Sequence, residues 1–188
     1  MSYADPDYFE NLYQRDADPW RFASSDYERQ KYAATIAALP MRRFRHCFEV
    51  GCSIGVFTRQ LAAQCDALLG VDVSETALEQ ARVRCADLPA VQLERMAVPD
   101  AWPPGRFDLI VFSEVLYYLG LDGIHAAARR TLDSLEPGGA VVLVNWHGPT
   151  DGACTGDEAA DRFIAAVAAT LQVTHSDRAE KYRIDVLT

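Results

Sequence analysis

Cys47-Phe48-Glu49-Val50-Gly51-Cys52-Ser53-Ile54-Gly55 is the stretch that decides how this chain folds. A short apolar strand, Cys47–Val50, runs straight into a bend that carries two glycines. A helical pattern of Val56, Phe57, Leu61 and Cys65 follows at once. At such a bend the backbone amides face outward, and glycine lets a ligand come close to the main chain. The unit therefore predicts a site for a nucleotide-like ligand.

Beyond the bend, strands and helices alternate. Further strands are expected at about 68–73, 91–96, 107–113 and 140–145. Ser74 is placed to cap a helix over 75–85, with Glu75 in its first turn. A second helix over about 122–135 is stopped by Glu136-Pro137-Gly138-Gly139. Phe107-Asp108-Leu109-Ile110-Val111-Phe112 is almost continuously apolar, as a parallel strand covered on both faces should be. Asp157 is placed to cap a helix to about residue 169. Then 171–175 and 182–187 alternate in character, which predicts an antiparallel hairpin at the sheet edge. The expectation is a doubly wound α/β fold of seven mostly parallel strands, with its ligand at the carboxyl ends of strands one and four.

Two helical stretches precede this core. Residues 3–18 carry Tyr3, Tyr8, Phe9, Leu12 and Tyr13, and the turn Asp18-Pro19-Trp20-Arg21-Phe22 follows. Ser24 or Ser25 is placed to cap a helix running to Leu39, ended by Pro40. Residues 1–40 thus read as a helical lid on a core at 45–188, the two forming one domain.

Composition narrows the function. The 188 residues are 49% hydrophobic and 24% charged, ordinary for a soluble protein, with a net charge of −9 that argues against nucleic acid. No apolar run is long enough to span a membrane, and Met1–Glu10 has acids where a signal peptide needs an apolar core. The five cysteines lack metal-ligand spacing, so no metal site is expected, and reduced thiols in a cytoplasmic protein are.

The bend also narrows the ligand. It reads G-x-x-x-G, with Ser53 where a dinucleotide fingerprint needs its second glycine, and no phosphate-binding G-x-x-x-x-G-K-[ST] occurs. Glu49 sits two residues before the first glycine. An acid there opposes a phosphate and favours a cation. S-adenosylmethionine fits, with an ammonium, a sulfonium and no phosphate.

These residues resemble a known family. Glu49-Val-Gly51-Cys-Ser-Ile-Gly55 is similar to the first motif of class I S-adenosylmethionine-dependent methyltransferases. Asp72 resembles the acid that holds the ribose, Phe107-Asp108-Leu-Ile-Val the fourth-strand motif, and Leu135-Glu-Pro-Gly-Gly139 the turn before strand five. Asp18-Pro-Trp20-Arg-Phe22, Tyr27-Glu-Arg29-Gln-Lys-Tyr32 and Ser113-Glu-Val-Leu-Tyr-Tyr-Leu119 further resemble the nodulation protein S (NodS-like) group. That group N-methylates the deacetylated glucosamine of a chitooligosaccharide.

The resemblance implies a Rossmann-like core and S-adenosyl-L-methionine as cofactor, with S-adenosyl-L-homocysteine as product. It implies cofactor contacts from Glu49, Gly51, Cys52, Ser53, Gly55, Asp72, Val73, Met96, Ala97 and Ser113, with Trp20 and Arg29 from the lid. Many class I enzymes carry an acid directly after strand three, where this chain has Arg95-Met96-Ala97. Met96 packing on the adenine and the Ala97 amide are expected instead, with Asp100 as a further candidate.

Methyl transfer needs alignment and a deprotonated nucleophile. Glu114, at the end of strand four, and His147, just past strand five, are the candidate bases, with Tyr117 and Tyr118 lining the acceptor. Each has a structural alternative: a helix-start carboxylate, a loop histidine, a core tyrosine. The expected partner is a small-molecule acceptor, possibly an aminosugar. An O- or S-methyltransferase and a cofactor-binding module without turnover stand as alternatives, and a dehydrogenase is disfavoured by the missing middle glycine.

Overall fold

The computed structural model describes residues 6–188, so the part expected of Tyr3 and its neighbours in the lid lies outside the described residues. Two helices come first, α1 (Pro6–Arg15) and α2 (Asp26–Ala38). Ser25 caps α2 by accepting a hydrogen bond from the Glu28 amide. The core follows as β1 (Phe44–Val50), α3 (Val56–Leu61), β2 (Cys65–Asp72), α4 (Glu75–Arg84), β3 (Val91–Arg95) and β4 (Phe107–Ser113). It continues with α5 (Gly120–Ser134), β5 (Leu135–Trp146), α6 (Gly156–Val167), β6 (Val173–Arg178) and β7 (Tyr182–Leu187).

The sheet order is β3-β2-β1-β4-β5-β7-β6. β1 to β5 pair in parallel, and β7 lies antiparallel between β5 and the edge strand β6. This is the expected doubly wound, seven-stranded fold. The period of two in β4 and β5 feeds two cores. Ile110, Phe112, Val141 and Leu143 pack with Ile124, Ala128 and Phe163 of α5 and α6. Leu109, Val111, Val142 and Val144 pack with Tyr32, Phe57 and Leu61 of α2 and α3. Each fully buried side chain of this size contributes roughly 1.5–3 kcal/mol.

Several boundaries differ from the sequence expectation: β2 takes up Cys65, read into the helical pattern, and α6 is capped by Thr155, whose hydroxyl accepts from the Glu158 amide, and not by Asp157. β1 starts at Phe44 because the Asp108 carboxylate accepts from the Arg45 and His46 amides, both at 2.9 Å. β5 starts at Leu135, which pairs with Phe107 before a register shift that the Pro-Gly-Gly segment absorbs. β6 lies at 173–178, later than the expected 171–175. Among the described residues no helix is long and apolar enough to cross a membrane.

Candidate active site

The carboxyl ends of β1, β2, β4 and β5 converge on a cavity of about 490 Å³, a volume suited to a small-molecule cofactor with its substrate. Its floor is the glycine bend. Gly51 has φ +83°, and a Cβ there would lie 2.2 Å from Val115 Cγ2 and 3.0 Å from the Ser113 carbonyl. Only glycine fits on both counts. The Gly51 and Cys52 amides donate to the Val71 carbonyl at 2.9 and 3.0 Å. Ser53, itself at φ +50°, turns its amide onto Asp72 Oδ2 at 2.9 Å, and the Ser74 amide donates to Oδ1 at 3.0 Å.

Asp72 is therefore a carboxylate held by backbone dipoles at the end of β2. Burial pushes its carboxyl up, while the amides of Ser74, Ser53 and Val73 oppose the rise. Val71, Val73, Met96 and Val98 make the wall beside it. Beneath the bend, Glu49 is fully buried, and neither of its oxygens has a hydrogen-bond partner among the described residues. Burial pushes its carboxyl up to about 7, with the Asp72 charge adding to the rise. Glu49 lines a separate hollow of about 20 Å³ that shares Gly51, Ser53, Ser113 and Glu114 with the main cavity.

The lid helix α1 roofs the opening. Its Glu10 accepts from the Ser74 hydroxyl at 2.8 Å, the Thr76 hydroxyl at 2.5 Å and the Thr76 amide at 3.3 Å, a second cap on α4. The Thr76 hydroxyl, ahead of the other donors, brings the Glu10 carboxyl down to about 2. The Tyr13 hydroxyl meets that of Ser53. On the far side Tyr8 and Tyr118 both donate to Asp151, and the Phe9 ring stands edge-on to Tyr118 at 4.9 Å. Trp20 stacks on Phe22 at 5.6 Å within the same roof.

The β4–β5 side of the cavity is built differently. Glu114 stands at φ +58°, a position non-glycine residues hold only when their surroundings enforce it. Its Oε2 accepts the Trp146 amide at 2.7 Å and the Tyr117 hydroxyl at 2.9 Å, and its Oε1 accepts Lys31 Nζ at 2.6 Å. Lys31 rises from α2 and is 2% exposed. It also contacts both oxygens of Glu28, at 3.1 and 2.9 Å. Burial alone would lower the Lys31 ammonium, but the charges of Glu114 and Glu28 outweigh it and hold it raised. The rings of Tyr27, Tyr117, Tyr118 and Trp146 complete this side.

Of the residues expected from sequence, Trp20, Gly51, Ser53, Asp72, Val73, Met96, Ser113, Glu114, Tyr117 and Tyr118 line the main cavity, and Glu49 and Cys52 the side hollow. Gly55 is spent on packing: at φ +78°, a Cβ there would lie 2.9 Å from Ala81 Cα of α4. The structure does not bring Arg29, Ala97, Asp100 or His147 to the cavity wall. Arg29 is exposed and pairs with Asp26 at 2.7 Å. His147 turns to the hairpin, its Nε2 3.0 Å from the Ala179 carbonyl and its Nδ1 3.5 Å from Asp157. Glu10, Tyr13, Glu28, Lys31 and Asp151 were not among the expected site residues, although Glu28 and Lys31 lie inside the Tyr27–Tyr32 motif and Tyr13 in the lid helix. The i, i+3 spacing of Glu28 and Lys31 is also that of a solvated surface pair.

A model of the family described as Nodulation protein S (NodS) matches residues 6–169. The chain belongs to the NodS family. Nodulation protein S of Bradyrhizobium diazoefficiens is 36% identical over 130 residues, covering 67% of this chain and 61% of that protein. The Rhizobium tropici protein is 35% identical over 128 residues, covering 67% and 54%. The match thus spans less than two thirds of these relatives' length.

Among solved structures, a Pseudomonas syringae protein superposes with a TM-score of 0.72 at 35% identity, over 85% of this chain and 97% of its own. The N-methyltransferase NodS of Bradyrhizobium japonicum WM9, solved with S-adenosyl-L-homocysteine, superposes with a TM-score of 0.81 at 21% identity. It covers 100% of this chain and 98% of its own. The likeness to NodS read from the motifs is thereby borne out, and the NodS fold with it.

Proposed function

We propose that this NodS-family chain binds S-adenosylmethionine in the cavity and transfers its methyl group to an amine nitrogen of a small polar acceptor. The preferred acceptor is an aminosugar of chitooligosaccharide type, and the setting cytoplasmic. The charge of the wall carries this reading. Glu28, Asp72, Glu114 and Asp151 line the cavity, against one lysine already shared between two of them. Such a wall repels a pyrophosphate and suits a cationic sulfonium and ammonium.

The residues fit that cofactor. Asp72 keeps lone pairs free for ribose hydroxyls, Met96 and Val98 offer apolar surface to the adenine, and Gly51 and Ser53 present the bend to the amino-acid end. Glu49 supplies negative charge from beneath. When bound, the cofactor supplies a methyl group already activated by its sulfonium. The protein's part is to align the acceptor with that methyl, exclude water under α1, and keep the acceptor nitrogen unprotonated. Glu114 and Tyr117, fixed to each other, would set the acceptor's orientation. The S-adenosyl-L-homocysteine bound in the Bradyrhizobium japonicum structure supports the assignment of the cavity.

Calorimetry with S-adenosylmethionine, S-adenosylhomocysteine and a nicotinamide dinucleotide tests the proposal. Binding of the first two and not the third is expected, and the reverse would overturn it. With labelled cofactor, the methyl is expected on nitrogen; a methyl on oxygen or sulfur would remove the amine and leave the transferase.

A further inference from the structure

Two carboxylates share one buried lysine at the acceptor end of the cavity, and they are not equivalent. Glu114 accepts from three donors on three segments of the chain, which fill three of the roughly four lone-pair sites of a carboxylate. A proton arriving there competes with the Lys31 ammonium for Oε1 or with the two donors on Oε2. Glu28 accepts from Lys31 through Oε1, the Tyr32 hydroxyl also hydrogen-bonds its carboxylate, and its Oε2 has no well-aligned partner among the described residues. It is 6% exposed, yet it lines the main cavity. Lys31 stands closer to Glu114, at 2.6 Å, than to either oxygen of Glu28. The cluster thus holds one positive charge against two negative ones, and the surplus falls to Glu28.

We propose that Glu28 is the base that takes the proton from the acceptor's ammonium group, and that Lys31 positions Glu28 and Glu114. This rests on the methyl-transfer reading above and adds the proton path. An acceptor ammonium enters beside the carboxylate carrying the surplus charge, with the Tyr27 ring, already 5.5 Å from Lys31 Nζ, beside the same cluster. The two carboxylates favour the charged amine on entry, and the Lys31 ammonium offsets part of that, so the proton is not held on the amine by the full charge of both. The N–H proton passes to Glu28, leaving a neutral amine with its lone pair. That pair forms the new N–C bond as the C–S bond breaks. The bonding electrons of C–S stay on sulfur, which becomes a neutral thioether, and the positive charge ends on the methylated nitrogen. Burial pushes the Glu28 carboxyl up, with Lys31 opposing, which improves its match to this task.

The test uses the full chain and Glu28→Gln. Wild type and variant are first titrated with S-adenosylhomocysteine. Failure of the wild type to bind it sinks the methyltransferase reading itself, whereas equal binding by both confines any later difference to the acceptor. The loaded proteins are then titrated with ethanolamine, glucosamine and a glucosamine disaccharide, each against its N-acetyl form. The wild type is expected to prefer at least one charged amine by about tenfold, and the variant to lose that preference. No preference for any amine, or a preference unchanged in the variant, overturns the proposal. For an amine that turns over, Glu28→Gln is expected to lower kcat roughly a hundredfold or more at pH 7. That loss should shrink as the pH rises and the amine arrives neutral. A loss of the same size at high pH would mark Glu28 as structural only.

Discussion

Asp72 and Glu114 are carboxylates at the ends of two strands that flank β1, facing one cavity, and they are held in opposite ways. Asp72 is satisfied by amides from the bend and from the start of α4, within a few residues of the motif that announces it. The donors on it are backbone dipoles, and no cationic side chain bonds it among the described residues. Glu114 is held by a lysine 83 positions away in sequence, a tyrosine hydroxyl and an amide of β5. The first arrangement leaves a fixed anion for a polar or cationic ligand. The second is a charge cluster whose balance changes when a proton or an amine arrives. One end of the cavity is suited to holding a constant cofactor, the other to chemistry on an acceptor.

The largest effect should come from breaking that cluster. Lys31→Met leaves Glu28 buried and Glu114 half-buried without a counter-ion, which is expected to destabilise the fold by about 3–5 kcal/mol. Urea denaturation at neutral pH measures it. The Asp72 end should not notice: the fraction still folded is expected to keep its affinity for S-adenosylhomocysteine. A loss below about 1 kcal/mol, the range of exposed pairs, would show that water reaches the cluster and that the contrast between the two ends is overdrawn.

Glu49 sharpens the comparison from beneath. Its carboxyl lies at about 7 in the folded chain against an ordinary 4.5. A raised acid binds its proton more tightly when folded, so its favourable contribution at low pH fades as the pH climbs from about 4.5 to 7 and is gone above that. Glu49→Gln removes this dependence. Relative to wild type, the variant should gain on the order of 2–3 kcal/mol in the free protein between pH 4.5 and pH 8. Parallel stability curves for the two proteins would show that Glu49 does not titrate there. With S-adenosylmethionine present the order should reverse, because the variant lacks the charge proposed to face the cation.

Asp72→Ala comes next. Its loss removes the proposed partner of the ribose hydroxyls and is expected to weaken cofactor binding by about 1–3 kcal/mol, read by calorimetry. Unchanged affinity would place the ribose elsewhere.

The contrast between the ends also explains what the sequence could reveal. Strand, bend and following helix are local, so Glu49 and the glycine bend were legible from the residues themselves, and Ser53 and Asp72 as site residues came from the family resemblance. The apolar run of β4 was legible because it reports burial on both faces; the closing hairpin was legible as a pair of strands, but not that β7 is buried throughout and β6 exposed throughout. Lys31 and Glu28 were not. Their helix precedes the first strand, and nothing in Tyr27–Tyr32 says that this face turns into the cavity. Only the packing of Tyr32 on Phe57 and of Tyr27 on Trp146 and Tyr182 does so. For the same reason His147 and Arg29, apt by type and position, lie outside the cavity: the hairpin claims one, and Asp26 pairs with the other at the surface.

The smallest effect expected is at the roof, where α1 meets the Asp72 end. Glu10 caps α4 from another helix, and its carboxyl lies at about 2 against an ordinary 4.5. A lowered acid stabilises the fold above its ordinary value and ceases to as the pH falls from about 4.5 toward 2, the opposite sign to Glu49. Because Glu10 is partly open to solvent, screening limits the effect to a few tenths of a kcal/mol, up to about 1. Glu10→Gln should therefore be marginally less stable than wild type at pH 7 and indistinguishable from it near pH 2.5. The local readout should be larger than the global one. Trp20 packs against Tyr13 of α1 at 5.6 Å, so its fluorescence should report a looser roof in the variant at pH 7. A variant whose Trp20 signal and exchange of α1 amides match wild type at pH 7 would mean that the tyrosines on Asp151 hold the lid by themselves. The weak latch would then lie at the acceptor end, and the division of labour between the two ends would have to be redrawn.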